Sequence, residues 1–126
     1  MLTSSLEYRK PIFMLARIRS KIARGSAELS IMALLADEPL YGFEIAKRIE
    51  EKTDGALHFT LASLYPMLYE LEKRHWIAGR WQENQAGRNR RYYSLTPTGK
   101  KQLAPLRLEW RSFFQALDQL AGVSHA

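Results

Sequence analysis

The strongest constraint on this chain is a change of hydrophobic period close to residue 75. Leu61, Leu64, Leu68 and Leu71 recur at intervals of three, four and three, which is one face of a helix. That helix reads from a Thr60 cap through Arg74. Beyond it, Trp76–Glu83 alternates, with Ile77, Gly79 and Trp81 on one side of an extended segment. The polar stretch Asn84–Asn89 contains Gly87 and reads as a hairpin loop. Arg90–Leu95, with Tyr92 and Tyr93, has the β-forming composition of a return strand.

Helical patterns flank this unit. Arg24-Gly25-Ser26 reads as a break, with Ser26 capping a helix whose apolar positions are Leu29, Met32, Ala33, Leu35 and Ala36. Glu38-Pro39 ends it, because the residue before a proline avoids the helical region. Tyr41–Lys52 is a second helix, with Phe43, Ile45, Ala46 and Ile49 apolar and Asp54-Gly55 as its stop. After the hairpin, Thr96 is a cap and Pro97 stands at the first helical position, where its missing N–H costs nothing. The last helix reads to about Leu120, and Pro105 within it predicts a kink. Ahead of everything, Ser4 and Glu7 resemble a capping box for a basic amphipathic helix carrying Tyr8, Ile12, Leu15 and Ile22. Its narrow stripe suits a partner helix better than DNA phosphates or a membrane surface.

Three short helices followed by a β-hairpin is the winged helix-turn-helix order. The expected fold is therefore mainly α with a small β-hairpin. Residues 1–24 form a basic arm, 25–96 a winged helix-turn-helix unit and 97–126 a C-terminal dimerisation helix.

Charge and composition narrow the function. The net charge is +6, from 19 basic and 13 acidic residues. Residues 1–25 and 80–101 each carry +5, residues 26–79 carry −4 and the remainder is neutral. A basic footprint split this way suits a polyanion, although an excess of this size also serves plain solubility. No cysteine is present, so disulfides, thiolate catalysis and zinc–cysteine sites are excluded, and a reducing compartment such as the cytoplasm fits. The apolar runs fall short of the ~20 residues of a membrane helix, and Pro11, Arg17 and Arg19 interrupt any signal-peptide core. His58, His75 and His125 are scattered, without a carboxylate or second histidine at ligand spacing. No glycine-rich phosphate loop precedes a helix. Neither an enzyme nor a metal or other cofactor is expected.

Opposite its leucines, the third helix carries Ala62, Ser63, Pro66, Tyr69, Glu70 and Lys73, with Tyr65 at the boundary between groove and core. Small residues first and hydrogen-bonding tips later suit a helix that enters a major groove by its N-terminal end. Pro66 removes one backbone bond and bends this helix. In the loop and return strand, Gly87-Arg88-Asn89-Arg90-Arg91-Tyr92 gathers three guanidinium groups suited to phosphate or a narrow minor groove. Tyr41 is a further expected phosphate contact, and Thr60 is expected to touch DNA from the start of the third helix. In the last helix, Leu103, Leu106, Trp110, Phe113, Leu117 and Leu120 keep a three-four register, the stripe of a helix that meets its symmetry mate. Ile12 and Leu15 would pack against it. Trp110 and Phe114 are either dimer core or the walls of a pocket for a flat aromatic ligand.

Several of these segments resemble one family. They are Leu29–Leu35, Leu40-Tyr41-Gly42-Phe43-Glu44-Ile45, Ala62-Ser63-Leu64-Tyr65-Pro66-Met67-Leu68, Leu71-Glu72, Gly87–Thr96 and Gly99. In order and spacing they are similar to the PadR family of bacterial transcriptional regulators, from about Arg24 to Leu120. The resemblance implies a dimeric repressor on a pseudo-palindromic operator, with Ser63-Leu64-Tyr65-Pro66 in the reading helix and Arg88–Tyr92 as the wing. It also implies release by a small, often aromatic, effector, and the short C-terminal helix matches the smaller subgroup. The chain departs from the family at His75, where glycine is usual. Residues 1–23 extend beyond the usual start, as an added dimer-packing helix or the product of an upstream start codon. Two other classes share the architecture. A winged helix used for protein–protein contact would not need the arginine wing. An architectural or RNA-binding protein would bind without strong sequence preference.

Overall fold

The computed structural model describes residues 22–122. Ile12, Leu15 and the amphipathic segment around them lie outside the described residues. A helix, α1, occupies 22–35. It is followed by β1 (Leu40–Tyr41), α2 (Gly42–Lys52), α3 (Leu61–Lys73), β2 (Ile77–Glu83), β3 (Asn89–Leu95) and α4 (Pro97–Ala121). The fold is mainly helical with a small antiparallel sheet, the winged helix-turn-helix architecture expected from the period change.

The core is one cluster to which each of these elements contributes. Ala27, Ile31, Met32, Leu34 and Leu35 enter from α1, and Ile45 and Ile49 from α2. Leu64, Met67, Leu68 and Leu71 enter from α3. Leu40, Ile77 and Tyr93 close it from the sheet and Leu103 from α4. The α3 stripe is thus shifted from the expected one. Met67 is buried, whereas Leu61 is 37% exposed because it stands in the first turn, beyond the edge of the core.

Two further expectations are corrected. The chain does not break at Arg24-Gly25-Ser26, since α1 runs straight through it. Ser26 Oγ donates to the Ala23 carbonyl at 2.9 Å within the helix and does not cap its start. Gly25 has a packing reason for being there: a Cβ at that position would lie 3.0 Å from the Trp110 ring. The hairpin also gains a third strand. Leu40 pairs with Tyr93 and Tyr41 with Tyr92, which gives the sheet order β1-β3-β2. Two residues are too few to show alternation in a sequence.

Local chemistry sets the joints. The Thr53 hydroxyl donates to the Ile49 carbonyl at 2.7 Å and accepts from the Leu57 N–H at 3.1 Å, which shapes the long connection after α2. Asp54 and Gly55 there take φ of 49° and 80° and stop the helix. His75 ends α3 in the left-handed region at φ 63°, the conformation that glycine adopts at least cost. Thr96 then anchors α4. Its hydroxyl donates to the His75 and Trp76 carbonyls at 2.6 and 3.0 Å and accepts from the Gly99 N–H at 3.0 Å. α4 continues through Pro105 as one helix.

Gly99 lies so close to the start of β2 that a Cβ would sit 2.1 Å from the Trp76 carbonyl oxygen. The shortest contact is to backbone, which cannot swing aside as the Leu95 side chain, 2.7 Å away, could. Gly99→Ala is expected to destabilise the fold by about 1–3 kcal/mol or more, the usual range for overpacking. Denaturant unfolding should show a lower midpoint than wild type, and an unchanged midpoint would contradict this packing.

Candidate nucleic-acid interface

The outward face of α3 is set by its inward one. Because Leu64, Met67, Leu68 and Leu71 are buried, Ala62, Ser63, Tyr65, Pro66, Tyr69, Glu70 and Lys73 are all exposed. Tyr69 is 66% exposed. The Thr60 hydroxyl accepts from the Ser63 N–H at 3.2 Å, which starts the helix and occupies Thr60 as a cap. The Ser63 hydroxyl turns back to the Thr60 carbonyl at 2.9 Å, so it must swing outward to reach a phosphate. Pro66 lies inside the helix and leaves the Ala62 carbonyl without its usual donor. Tyr65 is half exposed and leans on Gly42, where a Cβ would lie 3.0 Å from its hydroxyl. That contact joins α3 to the N-terminus of α2, beside Tyr41.

The strand register separates the expected arginines. β2 and β3 pair from Ile77 with Leu95 to Glu83 with Asn89. Side chains alternate across the sheet, so Arg91 shares the inner face with Tyr93, while Arg90 and Tyr92 share the outer one. On the outer face the Arg90 guanidinium lies 4.4 Å from the centroid of the Tyr41 ring, and the Tyr92 ring meets Tyr41 edge-on at 5.5 Å. Phe43 stacks on Tyr41 at 6.4 Å and is more than half exposed. On the inner face Arg91 Nη2 lies 2.5 Å from Glu72 Oε2 of α3. A crevice of about 550 Å3 runs there between α3 and the wing, lined by Tyr65, Tyr69, Glu72, Lys73, Arg91 and Tyr93.

Arg88 and Asn89 lie at the hairpin tip, both exposed. The Asn84 side chain builds the turn by accepting the N–H groups of Ala86 and Arg88, each at 3.0 Å, and Gly87 supplies a φ of 77°. Among the described residues, no carboxylate lies within ion-pair distance of Arg88, Arg90 or Lys73. The sequence reading missed Arg80, which is exposed and pairs with Tyr92 across the strands. Counting two residues at a time along the hairpin from Ala78 would have found it. Glu72 was also missed, because its partner is 19 residues away in the chain.

On α4, Trp110 meets Phe113 and Phe114 at ring distances of 5.9 and 5.8 Å. A concavity of about 340 Å3 beside them is lined by Ile22, Gly25, Glu28, Leu106, Glu109, Trp110 and Phe113. Phe114 is in the aromatic cluster but not in this lining. Along the stripe, Leu103 is buried, Leu106 and Trp110 are half-buried, and Phe113, Leu117 and Leu120 are exposed. Among the described residues, no group of three or more histidine or acidic side chains could hold a metal ion, and no helix is long and apolar enough to cross a membrane.

A helix with a polar outward face beside a cationic hairpin defines a DNA-binding winged helix of the transcription-regulator class. Residues 31–105 match the transcriptional regulator PadR-like family, and the chain belongs to that family. An uncharacterized protein of Lysinibacillus sphaericus is 32% identical over 101 residues, which cover 80% of this chain and 93% of that protein. The solved structure of a transcriptional regulator from Clostridium thermocellum is 30% identical, with a TM-score of 0.73, over 80% of this chain and 98% of that one. A PadR family transcription regulator from Clostridium difficile is 28% identical, with a TM-score of 0.66, over 75% and 96% of the two chains. The family is one of regulators, not of enzymes.

Tyr93, at the back of the crevice, gives a pH-dependent signature. Burial pushes its phenol above the usual tyrosine range, Arg91 pulls it down and Glu72 pushes it up, with a net rise. The unfolded chain therefore loses this proton first as pH rises. The stability linked to it is complete below a pH of about 10 and is lost above it. Wild type is expected to lose more stability than Tyr93→Phe between neutral pH and about 11, measured by denaturant midpoints. Equal losses would contradict the burial of this hydroxyl.

Proposed function

We propose that this chain is a cytoplasmic repressor that binds a pseudo-palindromic operator as a homodimer. Residues 25–96 carry the DNA-binding unit, and the helix after residue 97 pairs across the two-fold axis. Two copies of α3 enter successive major grooves one DNA turn, about 34 Å, apart. Ser63, Tyr65, Tyr69 and Lys73 supply base or phosphate contacts from α3, and Pro66 sets its bend. Arg88 and Asn89 at the wing tip, with Tyr41, Arg90, Arg80 and Tyr92 on the outer sheet face, meet the backbone. A small planar aromatic compound at Trp110 and its phenylalanine neighbours releases the DNA by preferring the arrangement that cannot bind it.

The observation that carries this reading is the α3 face. Its tyrosines and Lys73 stand across a crevice from the wing, at whose tip Arg88 has no acidic partner among the described residues. Dimerisation is supported by the distal part of α4, where Leu120 is 87% exposed and Leu117 and Phe113 more than 40%. Burying each such side chain is worth about 1.5–3 kcal/mol, which a second copy of the stripe would supply.

The decisive experiment selects a preferred duplex from a random pool and compares its mobility shift with that of random DNA. A clear preference is expected, and equal binding would leave only a non-specific architectural role. Tyr69→Ala is expected to weaken binding to the selected duplex by about 1–3 kcal/mol, with little change on random DNA. Arg88→Ala should weaken both and reduce the slope of log K against log salt by about one. Sedimentation at micromolar concentration should give twice the chain mass, and a monomer would contradict the two-fold arrangement. In a Trp76→Phe, Trp81→Phe background, planar aromatics should change Trp110 fluorescence, and an unchanged spectrum would remove the effector.

A further inference from the structure

We propose that Glu72 is a positioning residue that clamps the wing to α3, and that Arg91 serves this clamp and is not a phosphate ligand. The inference rests on the reading that α3 and the wing engage the same duplex. One oxygen, Glu72 Oε2, receives two donors from the hairpin. The Arg91 guanidinium reaches it at 2.5 Å and the Gly79 N–H at 3.2 Å. The two donors stand on adjacent strands, so a single carboxylate ties both strands of the hairpin to α3.

The surroundings are shaped for this pair. Arg91 lies across Gly79 so closely that a Cβ there would be 2.5–2.7 Å from its Nε, Cζ and Nη2 atoms. The absence of a side chain at residue 79 is what lets the guanidinium reach Glu72. The Trp81 and Tyr93 rings flank the same guanidinium, each centroid 5.8 Å away. Both members of the pair are only about a third exposed, at 31% each. An exposed ion pair would contribute little. A carboxylate that is also bonded to a backbone amide fixes a geometry, and geometry is what two DNA-contacting elements must share.

This assignment reverses the sign of an ordinary electrostatic expectation. Removing an acid beside a DNA-binding surface normally tightens binding. Glu72→Gln is instead expected to weaken binding to the selected duplex about tenfold, with an unchanged salt slope, because the wing loses its anchor and no phosphate contact disappears. Arg91→Lys keeps the charge but loses the fork, and should weaken binding with the slope again unchanged. The Glu72→Gln, Arg91→Lys double variant should be no weaker than the worse single one. Circular dichroism first establishes that each variant is folded. Tighter binding by Glu72→Gln, or a slope lowered by about one in Arg91→Ala, would overturn the assignment and make Arg91 a phosphate ligand. The Gly79 amide reports the clamp without DNA. Its nuclear magnetic resonance signal should move and its exchange protection fall in Glu72→Gln, and an unmoved signal would overturn the clamp. A wild-type chain that shifts no duplex, with the Gly79 signal still responding, would instead remove the DNA reading and leave the clamp in place.

Discussion

The burial of one face of α3 is the interaction on which the rest of the molecule depends. Leu64, Leu68 and Leu71 are wholly excluded from solvent and Met67 nearly so. Side chains follow one another at about 100° around a helix, so fixing this stripe fixes the rotation of the whole element. Ser63, Tyr69 and Lys73 face outward for no other reason. The same packing sets where β2 begins, because α3 ends at His75 and Ile77 is already core. Thr96 then bonds back to the His75 and Trp76 carbonyls, so α4 is placed by the end of α3 as well. Site and scaffold share a single constraint.

The fold was legible in the sequence wherever a periodic pattern was long enough to count. The α3 helix with its Thr60 cap, the β2–β3 hairpin and the Thr96-Pro97 start of α4 all follow from local chemistry. What was not legible depended on partners far away in the chain. Gly25 reads as a helix stop, but its bare backbone is needed where Trp110 packs against α1, 85 positions later by residue number. β1 is two residues long and exists because β3 offers it a free edge. Leu61 belongs to the leucine spacing, yet the core ends before it.

The arginine wing shows the same limit at the candidate site. In sequence, Arg88, Arg90 and Arg91 form one cationic cluster. In space they have three environments, because strand alternation sends neighbours to opposite faces. Arg88 stands at the tip with no acidic partner among the described residues, Arg90 lies on the Tyr41 ring, and Arg91 is paired with Glu72. Tyr65 likewise joins the two readings open to it, leaning on Gly42 while half of its surface faces outward. Charge density alone could not distinguish a ligand-binding cation from one that holds two elements together. Register and a distant carboxylate decide it.

Whether the outward face of α3 and the tip of the wing meet the same DNA is read by titrating isotopically labelled protein with a selected duplex, followed residue by residue in amide chemical shift. The largest changes are expected in residues 60–73 and 86–92, with α1 and the core side of α2 nearly still. Changes confined to α4, or spread evenly over the surface with none concentrated on α3, would contradict it.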